Sequence, residues 1–264
     1  AAYARVAYHT AWLKRHYPAE FMAALLTYET SDPKRMALIK DDMDAFGIPM
    51  LPPCIDRSDG RFRPERTADG TLGIRFGLTA IKGVSGDLAI LKEARKSGPF
   101  KDLPDFHKRA GAQFNKGQIE KLVEAGAFDR ISKNRYSALS VLSFLMKGGK
   151  KAVAGQDDLF GGTLEVRVPK EVEDVREWGN RVDREFNAVG FYFAEHPLDT
   201  YEPKFRKVKV KRKASLRQWM MENRREELKN KRLAGLVEFV DRRTSRKTGK
   251  PYVYARFAEK KDYF

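Results

Sequence analysis

A glycine-rich stretch from Gly73 to Gly86 constrains the fold of this chain more than any other segment. It begins with the alternation of a strand, continues with the composition of a short helix, and ends in a tight turn before a new helix. Because glycine has no Cβ, the amides of such a turn can come within hydrogen-bonding distance of a phosphate. The candidate contact residues are Lys82, Gly83, Val84, Ser85 and Gly86.

The net charge indicates which kind of anion the glycine turn would bind. The chain has 52 Lys and Arg residues against 36 Asp and Glu residues, a formal net charge of +16 over 264 residues. A surplus of this size favours a polyanionic partner, and the backbone of nucleic acid is the most direct candidate.

Cysteine and hydropathy indicate the compartment. Cys54 is the only cysteine, so no internal disulfide can form and a reducing, cytoplasmic location is expected. No apolar run is long enough to span a bilayer, so we expect no membrane partner.

A second predicted glycine turn has a similar sequence pattern, a helix that ends at a glycine. Asn115 can cap a helix whose apolar residues follow at helical spacing, and Gly126 ends it. We therefore include Lys116 and Gly126 among the candidate DNA contacts. Further helices are predicted before Gly47, where there are three, around Leu103–Ala110 and over residues 135–146, whereas residues 48–53 are predicted to be extended and residues 54–76 to alternate and turn.

A polar, flexible linker is predicted from Lys147 to about Pro169. It contains Gln156-Asp157-Asp158-Leu159-Phe160, an apolar pair in polar surroundings. Two interpretations are equally open on these residues alone: the pair tacks the linker onto its own domain, or it is a docking peptide for a partner.

A basic run and a β pattern follow in the second half. Seven of the ten residues from Lys204 to Lys213 are basic, and Phe205, Val208 and Val210 suggest a strand with one packed face. The run is interpreted either as a solvated segment or as a nucleic-acid contact. In the second case the contacts are Lys207, Lys209 and Lys211. Alternating residues from Arg232 onward predict the opening strands of a small β-barrel.

Catalytic and metal sites are not predicted. Asp41, Asp42 and Asp44 could hold a divalent cation, but they lie off the apolar stripe of their helix and fit its solvent-exposed face better. The four histidines are scattered, and no Walker-type or dinucleotide-binding loop is present. No cofactor is therefore expected within the chain.

Specific motifs resemble the alpha subunits of bacterial DNA polymerase III, the C family of replicative polymerases. The matching segments occur in the family's order over nearly the whole chain. They are Ala1–Lys14, Tyr17–Leu26, Gly47-Ile48, Leu51-Pro52-Pro53, Ile74–Leu78, Ile81–Val84, Gly98-Pro99-Phe100, Glu124–Asp129, Gly190-Phe191-Tyr192 and His196-Pro197-Leu198. Ser85 departs from the pattern, since the family usually has glycine there.

The resemblance implies a multidomain α+β fold. Residues 1–52 would end the fingers domain and residues 53–150 would form a tandem helix-hairpin-helix region. Residues 151–203 would contain the linker and a connecting helix, and residues 204–264 would begin an OB-fold, which binds single-stranded template. Within the linker, Gln156, Asp158, Leu159 and Phe160 would bind the sliding clamp, the beta subunit.

The resemblance also implies the chemistry of the whole protein. The family polymerises DNA through aspartates of the palm domain that hold Mg²⁺ ions. Those motifs are absent from this sequence, so we expect no catalytic residue and no activity from the chain alone. Arg5, Lys14 or Arg15 could help to hold an incoming nucleotide. The expected partners are template-primer duplex, the clamp and other holoenzyme subunits. Two alternatives remain: a non-enzymatic DNA-binding adaptor, and the error-prone paralogue of the same family.

Overall fold

The computed structural model describes residues 2–86, 88–132, 134–147, 181–193, 197–210, 232, 234–245, 247–259 and 262–263. They belong to two compact units, Ala1–Phe193 and Ala194–Phe264. The described helices of the first unit are α1 (Ala2–His16), α2 (Pro18–Tyr28), α3 (Pro33–Ala45), α4 (Ala89–Arg95), α5 (Leu103–Arg109), α6 (Lys116–Glu124), α7 (Arg135–Met146) and α8 (Arg181–Val189). Its strands are β1 (Met50–Leu51), β2 (Arg63–Arg66) and β3 (Leu72–Arg75).

Local signals in the sequence explain where several helices begin. Pro18 occupies the first turn of α2, where a missing N–H costs nothing. At α6, the Asn115 side chain accepts from the Gln118 N–H, and the Gln118 side chain accepts from the Asn115 N–H. At α7, the Asn134 side chain accepts from the Ser137 N–H. The predicted cap at Asn115 is thus confirmed and extends to a full capping box.

A small mixed sheet leads into the first glycine turn. The central strand β3 pairs in parallel with β1 and antiparallel with β2. On this sheet, Glu65 receives two hydrogen bonds from Arg75, at 2.6 and 2.8 Å. These bonds lower the pKa of Glu65, because the guanidinium stabilises the ionised carboxylate. The pair fixes β2 against the strand that leads to the turn.

Aromatic side chains form much of the core beneath the helical region. Phe76, Phe100, Phe106 and Phe128 are all at least 98% buried. The Phe106 ring meets those of Phe100 and Phe128 edge-to-face, with centroids 5.3 and 4.9 Å apart. Phe76 follows β3 and Phe128 follows α6, so both glycine turns are attached to this core.

The acidic face of α3 is explained by ion pairs. The Lys14 Nζ of α1 lies 2.6 Å from Asp42, and the Lys40 Nζ lies 2.6 Å from Asp44. The interpretation of these aspartates as a solvent-exposed helix face agrees with these contacts. None of the residues that the structure describes in α1 is buried, and Tyr3 is 94% exposed.

The second unit has one α-helix, a 3-10 helix at Asp199–Tyr201 and three strands among its described residues. The α-helix is α9 (Glu202–Lys207), and the strands are β4 (Leu236–Thr244), β5 (Pro251–Glu259) and β6 (Asp262–Tyr263). The strands form an antiparallel sheet in the order β4-β5-β6. The α+β class is confirmed. The described residues form no closed barrel, so the start of an OB-fold stays a prediction.

The predicted strand at Phe205 is wrong, because residues 202–207 form α9. Pro203 lies in the first turn of this helix, where it is tolerated, and Glu202 lies beside the positive end of the helix dipole. Lys204, Arg206 and Lys207 occupy the last turn, where cations are favoured. These end effects outweigh the period-two alternation on which the strand was predicted.

Among the described helices, none combines the length and the apolar composition that crossing a membrane requires.

Candidate nucleic-acid interface

The first turn follows β3 and a 3-10 turn at Leu78–Ala80, as the sequence predicts. Ile81 and Val84 are buried, so the turn is held to the core by two apolar side chains. Gly83 and Gly86 are exposed and have φ angles of +85° and +103°. Residues other than glycine rarely adopt these φ angles, so glycine is required at both positions.

The amides of the first turn divide into satisfied and free donors. The Val84 N–H donates to the Ile81 carbonyl and the Lys82 N–H to the Ala188 carbonyl, both at 3.0 Å. Gly83, Ser85 and Gly86 have amides with no acceptor among the residues that the structure describes. Successive free N–H groups in a turn with positive φ form a concave anion-binding site.

The beginning of α6 lies against the same turn. The Gln118 side-chain amide donates to the Ser85 carbonyl at 2.8 Å. Lys116 is exposed two residues earlier in the helix, and Lys82 is exposed on the turn itself. The structure thus brings Lys82, Gly83, Ser85, Gly86 and Lys116 to one surface. Val84 of the predicted set contributes neither a free amide nor an exposed side chain.

The second turn, at the end of α6, has a different environment. Gly126 has a φ of +80° but is buried. Its N–H donates to the Val123 carbonyl at 3.0 Å, and the Ala127 N–H donates to the Leu122 carbonyl at 2.9 Å. The turn therefore offers a phosphate neither an exposed glycine nor the amides of these two residues.

Arg135 occupies the space above Gly126. A Cβ at Gly126 would lie 2.8 Å from the Arg135 Cζ and 2.8 Å from the Asp129 Oδ2. The guanidinium donates to the Asp129 carboxylate at 2.7 and 2.8 Å and to the Glu124 carbonyl at 2.9 Å. Its Nη2 also lies 2.8 Å from the Glu185 Oε2. Gly126 is needed here because any side chain would collide with this cluster.

The cluster keeps Arg135 charged in a buried place. Burial lowers the pKa of Arg135, but hydrogen bonds and charges from Asp129 and Glu185 outweigh it and leave the pKa raised. Removing one partner of such a cluster leaves an uncompensated charge, which costs more than the pair contributes.

Several residues of this region were missed from the sequence. Gln118 could have been found, because an Asn cap followed three residues later by Gln signals a capping box. The pairing of Arg135 with Glu185 could not, since 50 residues separate them and no local pattern joins them.

The remaining candidate residues come from the second half of the sequence. Lys207 and Lys209 are exposed in the second unit, near the end of α9. Lys211 and the segment Gln156–Phe160 lie outside the described residues. Within the described ranges, no group of three or more His, Cys, Asp or Glu side chains is placed to hold a metal ion.

A family comparison matches the region that contains both turns. Residues 47–138 match a model described as a helix-hairpin-helix motif. The match extends from the end of α3 into α7, and it ends well before α8.

Curated relatives cover most of the chain. It is 37% identical over 225 residues to DNA polymerase III subunit alpha of Neisseria meningitidis serogroup A, which covers 82% of this chain and 19% of the relative. The Aquifex aeolicus protein of the same name is 43% identical over 204 residues, 76% of this chain and 16% of the relative. The Escherichia coli K12 protein of the same name is 36% identical over 214 residues, which cover 76% of this chain and 18% of the relative. The chain thus spans less than a fifth of each relative, and the resemblance inferred from its motifs is confirmed.

Proposed function

We propose that this chain, which is related to a segment of the alpha subunit of bacterial DNA polymerase III, holds duplex DNA by the phosphate backbone at its first glycine turn. The observation that carries the proposal is that Gly83, Ser85 and Gly86 are exposed and that their N–H groups have no acceptor among the described residues. Phosphate oxygens are strong acceptors, and donors fixed by the fold bind them without further ordering.

The charges around the turn support a phosphate ligand. Lys82 lies on the first turn and Lys116 begins the helix whose Gln118 bonds to that turn, and both lysines are exposed. Contacts of this kind carry no sequence information, so the proposed binding is non-specific. A replicative polymerase requires such binding because it must hold any template.

The experiment is a titration of the protein with duplexes of unrelated sequence at several salt concentrations. If four to six phosphates are neutralised, log K should fall against log salt with a slope of about −4 to −5. All duplexes should bind with similar affinity. An affinity that does not change with salt concentration, or that depends strongly on the DNA sequence, would refute the proposal.

A second proposed contact is the sliding clamp, at Gln156, Asp158, Leu159 and Phe160. It is supported by the resemblance of these residues to the family's clamp motif. Leu159 and Phe160 would enter an apolar pocket of the clamp, and Gln156 would hydrogen-bond at its rim. Because a flexible peptide is ordered on binding, its own affinity should be about micromolar or weaker.

The clamp proposal is tested by changing Leu159 and Phe160 to Ala. The double variant should lose binding to the clamp and keep its affinity for DNA, since no basic residue is altered. Both titrations are made on the same preparation. Unchanged clamp binding would return these residues to their other interpretation, a contact with their own domain.

The whole protein is proposed to be a DNA-directed DNA polymerase, as the names of the relatives indicate. Its use of Mg²⁺ is proposed from the family resemblance alone. The relatives favour a polymerase over a non-enzymatic adaptor. For this chain alone we expect no primer extension with Mg²⁺ and four nucleotides, because it lacks the palm motifs. Extension by pure protein would show that the active site has been misplaced.

A single-stranded template is the proposed ligand of the second unit. Exposed Lys207 and Lys209, together with Lys211, would neutralise its phosphates. Binding of oligothymidylate that weakens when these three lysines become Ala would support this role, and unchanged binding would exclude it.

A further inference from the structure

Helix α8 lies outside the helix-hairpin-helix match and contacts both glycine turns. At the middle of α8, Glu185 is 99% buried and pairs with Arg135, which covers the second turn. The neighbouring Arg184 Nη1 lies 3.0 Å from the Glu124 Oε1 at the end of α6. Two charged contacts thus fix α8 to the second turn.

The C-terminal end of α8 reaches the first turn. The Ala188 carbonyl accepts the Lys82 N–H at 3.0 Å, and Ala188 is fully buried. The Glu185 Oε1 also accepts the Phe193 N–H at 2.6 Å. The Phe193 ring in turn packs edge-to-face on Phe76 with centroids 5.8 Å apart. Glu185 therefore contacts both the arginine that covers the second turn and the segment that packs beside the first turn.

A third contact runs through α6. The Lys121 Nζ bonds to the Glu124 carboxylate at 2.6 Å, and its Cγ would lie 3.4 Å from a Cβ on Gly83. Glu124 thus links Arg184 of α8 to a lysine whose stem packs beside the first turn. The first turn is thus contacted by α8 through the Ala188 carbonyl and by α6 through the Lys121 side chain.

We propose that Glu185 is a positioning residue for DNA binding: it holds α8 so that the first turn presents its free amides in one fixed arrangement. The inference rests on the proposed function. It adds that the second turn and α8 together form the support of a DNA-binding surface that lies on the first turn alone. Donors that must be reordered on binding hold a ligand more weakly than donors that are already fixed.

The main test is the variant Glu185→Gln, with Glu65→Gln as the matched control. Both remove one carboxylate from an ion pair with a buried arginine in the same unit, but Glu65 pairs with Arg75 on the sheet. Loss of a negative charge strengthens DNA binding by simple electrostatics. A weakening in Glu185→Gln therefore has to come from lost positioning.

Binding is measured at a temperature well below the melting temperature of each variant. We expect Glu185→Gln to bind duplex DNA about tenfold more weakly than the unaltered protein. Glu65→Gln should bind as tightly as the unaltered protein or slightly more tightly. The salt slope of Glu185→Gln should not change, because no phosphate contact is removed. Hydrogen exchange of the Lys82 amide should become faster in Glu185→Gln and stay the same in Glu65→Gln.

Arg184→Gln provides a milder second variant if Glu185→Gln does not fold. A weaker affinity with an unchanged salt slope supports positioning, whereas a slope reduced by about one would mean that Arg184 contacts a phosphate, which overturns its assigned role. Equal DNA affinity for Glu185→Gln and Glu65→Gln would overturn the inference. If the unaltered protein shows no salt-dependent binding, the proposed function itself fails.

Discussion

The two glycine turns of this protein look alike in sequence and differ in what surrounds them. Both contain a glycine of positive φ, Gly83 at +85° in the first and Gly126 at +80° in the second. The first turn is exposed and has three N–H groups for which no described residue provides an acceptor, whereas the second turn is buried beneath Arg135. The comparison teaches that a positive φ identifies a turn, and that the neighbours decide whether it binds a ligand or supports the fold.

The largest effect that tests this difference is expected at the second turn. Gly126→Ala should lower the free energy of unfolding by about 3 kcal/mol or more, because the new methyl group displaces Arg135 from its buried ion pairs and the φ angle is strained. Chemical denaturation measures the loss. A loss under about 1 kcal/mol would show that the cluster yields easily, and the turns would then be more alike than the structure suggests.

At the first turn the same substitution should affect binding more than stability. Gly86→Ala places its methyl group in open space, so its cost is the strained φ alone, about 1–2 kcal/mol. Duplex affinity should fall about tenfold, because the amides that receive the phosphate shift. Titration of folded protein at low temperature measures this. An unchanged affinity would remove the first turn from the interface.

The difference between the two turns could be predicted only in part from the sequence. The strand, the short helix and the turn at Gly83 were all predictable, because glycine spacing and alternation are local signals. The role of Gly126 was not, since it depends on Arg135 and on Glu185, which is 59 residues further along the chain. The same limit applies to α9, where helix-end preferences outweighed the alternation around Phe205.

A smaller effect is expected from single lysines beside the first turn. Lys82→Ala should reduce the slope of log K against log salt by about one and weaken binding to all duplexes alike. Lys108→Ala is the control, because it removes the same charge from an exposed position on α5. Equal slopes for the two variants would indicate that only overall charge matters.

The smallest effect concerns the sheet that leads into the first turn. The folded-state pKa of Glu65 is lowered from 4.5 by Arg75, so its contribution to stability is complete above that value and is lost as the pH falls through the folded pKa. Glu65→Gln should therefore flatten the acid limb of the stability curve. Melting temperatures between pH 3 and pH 7 check this, and identical limbs in both proteins would contradict it.

The central claim is that DNA phosphates meet the amides of the first turn and not those of the second. The direct measurement is a titration of ¹⁵N-labelled protein with a short duplex, followed by amide resonances. We predict large shifts for Gly83, Ser85 and Gly86 that saturate with binding, and no comparable shift for Gly126 and Ala127. Equal shifts in both turns, or shifts confined to the second, would contradict the account.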